Sequence, residues 1–112
     1  MAAVTISERK TREAARRSQA AARVAARLKN FARDEGGRFV LFGSAARGTM
    51  SYKSDFDVLV DFPLEREHAA FAFLEDLCRS EGLDLDALTL RTMSEVFLHR
   101  NQADLRVLAC AT

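Results

Sequence analysis

Two pairs of aspartates are the residues best suited to chemistry in this sequence. Asp55 and Asp57 stand two positions apart in the run Ser-Asp-Phe-Asp-Val-Leu-Val, and Asp84 and Asp86 repeat that spacing. Side chains two apart on a strand share one face, about 7 Å from each other along it. Like charges gathered there repel, and a hard divalent cation such as Mg²⁺ would relieve the repulsion by binding carboxylate oxygens. For either pair alone, an ordinary solvated acidic face is the simpler interpretation.

A Gly-Ser turn after an apolar run is the second chemical feature. Gly43 and Ser44 follow Phe-Val-Leu-Phe and open a short segment that can form a helix. Such a turn lets backbone N–H groups approach a phosphate, and the serine hydroxyl adds another donor. Arg47 stands one helical turn later, from where it could reach a phosphate or brace the carboxylates. Taken singly, Gly-Ser is a common turn and Arg47 an ordinary surface arginine.

A small layered domain is needed to position these residues. The pattern of apolar residues, glycines and Pro63 predicts helices and strands in alternation. The predicted helices are 6–34, 44–47, 64–80 and a short one capped by Thr92 or Ser94, and the predicted strands are 38–42, 55–62, 83–90 and 105–110. The first helix carries the stripe Val24, Leu28 and Phe31. Alternation of this kind is typical of an α/β or α+β domain with helices packed on a sheet.

Composition excludes several classes of protein. The chain has 112 residues, 48% hydrophobic and 29% charged, which is a globular profile with room for one core. No apolar run approaches the ~20 residues of a membrane span, so we expect no membrane partner. Glu8, Glu13 and the absence of a secretory-type apolar core argue against a targeting segment, so we expect a cytoplasmic protein. Cys78 and Cys110 lie far apart, which favours neither a disulfide scaffold nor a zinc site.

The charges are divided unevenly along the chain. Residues 1–38 carry ten Lys and Arg against four Asp and Glu, whereas residues 39–112 carry seven against twelve. A basic front on an acidic body indicates a partner or a polyanion for the front and a metal ion for the body. A solvated basic helix is the alternative. Residues 7–20 offer only alanines to a core, so we expect weak anchoring or fraying there.

The motifs in this order resemble the nucleotidyltransferase superfamily that includes polymerase beta and kanamycin nucleotidyltransferase, and above all its minimal, MNT-type members. The matching residues are Gly43, Ser44, Ala46, Arg47, Gly48, Ser54, Asp55 and Asp57, with ten residues between Ser44 and Asp55. The resemblance covers about residues 22–110. It implies a nucleotidyltransferase fold with a mixed sheet of about four strands flanked by helices. It also divides the chain into a basic helical extension, 1–21, and a minimal nucleotidyltransferase domain, 22–112.

The resemblance implies a role for each motif residue. Asp55 and Asp57 would be metal ligands, and a third carboxylate would bridge the metal and act as general base. Asp86 is the preferred third carboxylate, because Asp86-Ala87-Leu88-Thr89 fits the family pattern better than Asp84-Leu85-Asp86 does. The nucleotide would be bound by Gly43, Ser44, Arg47 and Ser54. Two Mg²⁺ ions, or Mn²⁺ in their place, would stabilise the attacking and leaving oxygens.

The implied reaction moves a nucleoside monophosphate, foremost AMP from ATP, to a hydroxyl acceptor. In the MNT-type family the implied partner is an all-helical HEPN toxin, which the antitoxin neutralises by adenylylating a tyrosine. Two alternatives stay open: an antitoxin that acts by contact alone, and a small-molecule enzyme acting on an aminoglycoside-like hydroxyl. A second copy of the chain could also complete the acceptor site, and no specific nucleic-acid partner is expected. The nucleotide, the acceptor and the oligomeric state stay open.

Overall fold

The computed structural model describes residues 5–108, and its helices and strands alternate as predicted. The helices are α1 (Ile6–Glu35), α2 (Gly43–Arg47), α3 (Leu64–Ser80) and α4 (Glu95–Arg100). The strands are β1 (Arg38–Leu41), β2 (Phe56–Asp61), β3 (Leu85–Thr89) and β4 (Arg106–Leu108). Two 3-10 turns, Leu90–Thr92 and Gln102–Asp104, flank α4. Ser94 rather than Thr92 caps α4, because its hydroxyl accepts the N–H of Phe97.

The four strands form one mixed sheet in the order β3-β2-β1-β4, which confirms the expected sheet. β1 pairs antiparallel with both β2 and β4, whereas β2 and β3 are parallel and are connected through α3. A parallel pair needs such a crossover, because the chain must return to the same end of the sheet. The centre of the sheet is therefore β2 and β1, and β3 is an edge strand beside β2.

The strands are shorter than the sequence predicted, and two of the four aspartates lie just outside them. Asp55 precedes β2 and Asp84 precedes β3. The reason is that the β2–β3 ladder opens with the hydrogen bond from the Phe56 N–H to the Asp84 carbonyl, 2.7 Å long. The last predicted strand is confirmed over Arg106–Leu108, and its residues 109 and 110 lie outside the described residues.

Helix α1 is continuous over 30 residues. Its first turn is capped by the Thr5 hydroxyl, and Gly36 ends it in the left-handed conformation, with φ of 74°. Ala20, Val24, Leu28 and Ala32 repeat every four residues and form its buried stripe. The expectation of weak anchoring is wrong for the end of the 7–20 segment, because Ala20 is fully buried. The helix runs through residues 21 and 22 without a break, and the domain boundary there stays a prediction.

The core lies between one face of the sheet and the two long helices. Phe39 of β1, Phe56 and Val58 of β2, and Leu74 of α3 are fully buried. The predicted α3 stripe is confirmed at Leu74, Leu77 and Cys78, with Phe71 half-buried. Because side chains alternate along a strand, the opposite face of β2 carries Asp57, Leu59 and Asp61. The fold thus leaves a carboxylate on the central strand, on the face away from α1 and α3.

Candidate active site

Asp57 and Asp86 are brought together by the register of the parallel strands. They are direct partners in the β2–β3 ladder, so their side chains share one face across neighbouring strands. Partial burial and, to a smaller extent, the negative charges of Asp86 and Asp55 together raise the pKa of Asp57 from 3.8 to about 6. A carboxyl group that is costly to ionise next to two other carboxylates is suited to binding a cation, because a positive charge offsets that cost.

Asp55 and Asp84 hold different positions around that pair. Asp55 is exposed at the start of β2, close enough for its charge to raise the pKa of Asp57. Asp84 is exposed before β3, and its Oδ2 lies 3.0 Å from Nη1 of Arg17. Asp86, and not Asp84, is therefore the β3 aspartate opposite Asp57, while Asp84 is paired with an arginine.

Gly43 lies directly against the Asp57 carboxylate. A Cβ atom at this position would stand 2.7 Å from Oδ2 of Asp57, and Gly43 has a positive φ of 62°. Both facts require glycine, because a side chain would clash and the left-handed conformation disfavours L-residues. The adjacent Phe42 N–H donates to the Asp57 carbonyl at 3.1 Å. The Gly-Ser turn is thus held against the central carboxylate, and its role in binding phosphate stays a prediction.

Three further residues were predicted to bind the nucleotide, namely Ser44, Arg47 and Ser54. Their positions are set by other parts of the protein within residues 5–108. Ser44 is the second residue of α2, directly after Gly43, and is half-buried. Arg47 ends α2, where its Nη1 lies 3.0 Å from Oδ2 of Asp104. Ser54 accepts the Ser51 N–H at its hydroxyl, 2.8 Å away, and so shapes the loop before Asp55. Arg47 is therefore oriented by Asp104 rather than by the aspartates of β2 and β3.

Arg17 is the residue near this site that sequence reasoning did not single out. Its guanidinium contacts the Ser54 carbonyl at 2.7 Å as well as the Asp84 carboxylate. The sequence indicates only a local contact of Arg17: Glu13 stands four residues before it, a spacing that favours an ion pair on a helix. That spacing does not say which distant loop the arginine will reach, so its contact with the site could not be deduced.

The carboxylates of the site have oxygen atoms of the kind that a hard divalent cation binds, but these atoms are not gathered around one point. Within residues 5–108, no three or more His, Cys, Asp and Glu side chains are gathered closely enough to hold a metal ion. Like charges repel one another, which opposes a closer approach of Asp55, Asp57 and Asp86. The raised pKa of Asp57 reflects its partial burial first and that repulsion second, and carboxylate oxygens are the ligands that Mg²⁺ prefers.

The chain matches the family described as "Nucleotidyltransferase domain" over residues 23–107, which is 85 of its 112 residues. It therefore belongs to this family, within the polymerase beta-like nucleotidyltransferase superfamily, and its activity class is nucleotidyl transfer. No curated protein and no solved structure has significant similarity to the chain. Along residues 5–108, no helix is both long and apolar enough to cross a bilayer.

Proposed function

We propose that the protein transfers AMP from ATP to a tyrosine hydroxyl of a helical partner protein, with Asp55, Asp57 and Asp86 as its catalytic carboxylates. The observation that carries this proposal is the pairing of Asp57 with Asp86 in the ladder, with Gly43 packed against the Asp57 carboxylate. A phosphate-binding turn and two facing carboxylates are the parts that this transfer needs.

Each residue has a defined task in the proposed reaction. The backbone at Gly43 and the hydroxyl of Ser44 hold the β- and γ-phosphates. Asp86 takes the proton of the acceptor hydroxyl, whose oxygen forms a bond to the α-phosphorus. The bond between the α-phosphorus and the bridging oxygen breaks, and pyrophosphate leaves. Catalysis then rests on positioning and on stabilising charge as it develops.

Asp55, Asp57 and Asp86 would hold the divalent cations, with Mg²⁺ as the expected ion and Mn²⁺ as a substitute. Bound cations supply charge neutralisation at the triphosphate and at the leaving pyrophosphate. Arg47 and Ser54 contribute from the borders of the site: Arg47 reaches the nucleotide if it exchanges its contact with Asp104 for a phosphate oxygen, and Ser54 keeps Asp55 in place.

Two features support a protein acceptor. Asp55 and Asp86 are exposed, so the carboxylate face is open to a macromolecule. The first two turns of α1 are also exposed and carry Arg9, Lys10 and Arg12, which offer a basic surface to an acidic partner. An all-helical HEPN toxin is the partner that the resemblance suggests. A cytoplasmic site of action belongs to this proposal, because ATP is available there and Cys78 is a free thiol.

The test uses the full chain, Mg·ATP and an all-helical HEPN-type protein as the candidate partner. ATP labelled at the α-phosphorus should label the partner, whereas ATP labelled at the γ-phosphorus should not. Intact-mass spectrometry should show one or more AMP units added to the partner. Label from the γ-position would indicate phosphoryl transfer and would contradict the proposal.

Asp55→Asn provides the control that separates catalysis from contact. This variant should still bind the partner but should leave its mass unchanged. In a growth assay, it should lose the ability to neutralise the toxin at low expression. Full rescue by Asp55→Asn, with no mass change in the wild-type reaction, would favour neutralisation by contact alone.

A further inference from the structure

Arg17 connects helix α1 to both segments that lead into the carboxylate strands. Its Nη1 donates to the Ser54 carbonyl at 2.7 Å and lies 3.0 Å from Oδ2 of Asp84. Only 13% of its side chain is exposed, although it is a charged residue on a surface helix. A guanidinium held this firmly is ordered by its partners and does not sample the solvent freely.

The two contacts of Arg17 lie next to the proposed catalytic residues. Ser54 directly precedes Asp55, and Asp84 stands two positions before Asp86. Between these contacts the β2–β3 ladder begins, with the Phe56 N–H bonded to the Asp84 carbonyl. One side chain therefore spans the starts of both strands at the end where their carboxylates gather.

Arg17 is itself held in place by the rest of α1. Its Nε donates to Oε1 of Glu13 at 3.0 Å, and the same carboxylate binds Arg16. Hydrogen bonds from Arg16 and then Arg17 lower the pKa of Glu13 to about 2, so this carboxylate stays charged at neutral pH. Arg16 also donates to the Glu81 and Gly82 carbonyls, which precede β3. Glu13 thus holds two arginines of the next turn of α1. Arg16 fixes the α3–β3 connection, and Arg17 fixes the loop before β2.

The positive charge of Arg17 also stabilises the end of the sheet where the carboxylates gather. Asp84 would otherwise add a fourth negative charge beside Asp55, Asp57 and Asp86. Its pairing with Arg17 offsets that charge without placing a cation on the carboxylates proposed to bind metal. The arginine therefore stabilises the crowded end of the sheet and leaves the three reactive carboxylates free.

We propose that Arg17 is a positioning residue, which sets the spacing of Asp55–Asp57 against Asp86 and makes the first half of α1 part of the catalytic unit. The expected effect of Arg17 on turnover rests on the proposed function. Its expected effect on the geometry of the starts of β2 and β3 does not. Arg17 lies before residue 23, where the family match begins, so the family pattern assigns it no role.

The first experiment measures amide hydrogen exchange in the full chain without nucleotide. Arg17→Met keeps much of the side-chain volume but removes every donor. It should speed exchange about 10-fold at residues 54–57 and 84–86, because hydrogen bonds to a charged group are lost there. Arg23→Met is the matched control: it breaks another ion pair between α1 and the body, with Glu81, but touches neither Ser54 nor Asp84. It should leave those amides unchanged.

The second experiment measures steady-state transfer from Mg·ATP to the partner protein. Arg17→Met should lower kcat up to about 100-fold with KM for ATP changed less than about threefold, because misplaced groups cost turnover more than binding. Arg17→Lys should restore part of kcat, since an ammonium can donate to the Ser54 carbonyl and Asp84 but lacks the Nε donor that bonds to Glu13. Arg23→Met should behave like the wild type.

The outcomes separate this proposal from the proposed function. Faster exchange spread evenly over all amides of Arg17→Met would show only a loss of global stability and would overturn the positioning role. Equal kcat in Arg17→Met and wild type would also overturn it. If the wild type transfers no AMP but the exchange change is local, the proposed function fails while the positioning role stands. Circular dichroism of Arg17→Met and Arg17→Lys verifies that both variants fold.

Discussion

Asp57 and Asp86 face each other across β2 and β3, and the negative charge of Asp86 adds to the burial that opposes ionisation of Asp57. Their placement follows from backbone pairing, since register partners in a parallel ladder share a face. The protein therefore holds like charges together at the expense of stability, which is consistent with the proposed binding of a cation and a triphosphate.

Asp57→Asn should stabilise the protein in the absence of metal. The raised pKa of Asp57 means that the folded state binds a proton more tightly than the unfolded state between pH 3.8 and about 6. The wild type therefore loses stability as pH rises through that window, and the loss is complete above it. Asparagine removes this loss, so the free energy of unfolding of the variant should be higher by on the order of 1 kcal/mol at pH 7. The gain is smaller than the full pKa shift would give, because the carboxylate is partly solvated.

Urea unfolding at pH 4 and pH 7 checks this prediction. The gain should be absent at the lower pH and present at the higher one. Asp55→Asn is the matched control, and its gain should be smaller because Asp55 is exposed. In the presence of Mg·ATP the order should reverse, with the wild type gaining more stability than either variant. A lower stability of Asp57→Asn than of wild type at pH 7 without metal would contradict the electrostatic explanation.

Asp86→Asn and Asp84→Asn should differ in turnover. Asp86 faces Asp57, so its loss should reduce kcat by at least about 100-fold while much of the ATP affinity is kept. Asp84 is paired with Arg17, and its loss should be milder. Single-turnover transfer and calorimetric ATP binding measure the two effects separately. An inactive Asp84→Asn beside an active Asp86→Asn would show that the third carboxylate is Asp84.

Gly43→Ala should be far more damaging than Gly48→Ala. Both glycines have positive φ, and that conformation alone costs an alanine about 1–2 kcal/mol. At Gly48 a Cβ would have nothing within 4 Å, whereas at Gly43 it would press on Oδ2 of Asp57. The difference in free energy of unfolding and in Mg·ATP affinity between the variants therefore isolates the contact with Asp57. Equal effects in the two variants would rule that contact out as the cause.

Cys78 should resist alkylation in the folded protein. It is 1% exposed, and burial raises the pKa of its thiol from 9.0 to about 12. At pH 8 this shift lowers the thiolate fraction about 1,000-fold, so iodoacetamide should react slowly until the chain unfolds. Mass spectrometry of a Cys110→Ser variant, with and without urea, follows this thiol alone. Rapid modification of the native variant would show that α3 does not shield it.

Much of the fold and of the site could be predicted from local features of the sequence. Helix α3 was predicted with its observed bounds, 64–80, because its apolar spacing and the flanking Pro63 and Gly82 act over a few residues. The order of the Gly-Ser turn and the spaced aspartates predicted nucleotidyl transfer, and the family match confirms that activity class. Strand ends were predicted less well, because the first and last ladder hydrogen bonds depend on the neighbouring strand.

The sequence by itself determined which residue types and motifs this protein carries, and hence the chemistry it is equipped for. Only the tertiary structure decided which β3 aspartate faces Asp57, because that depends on the register of two strands separated by α3. It also decided that Arg17 reaches Ser54, a contact across 37 residues of chain. Local patterns encode helices, turns and side-chain alternation, whereas register and long-range ion pairs arise only when the elements pack together.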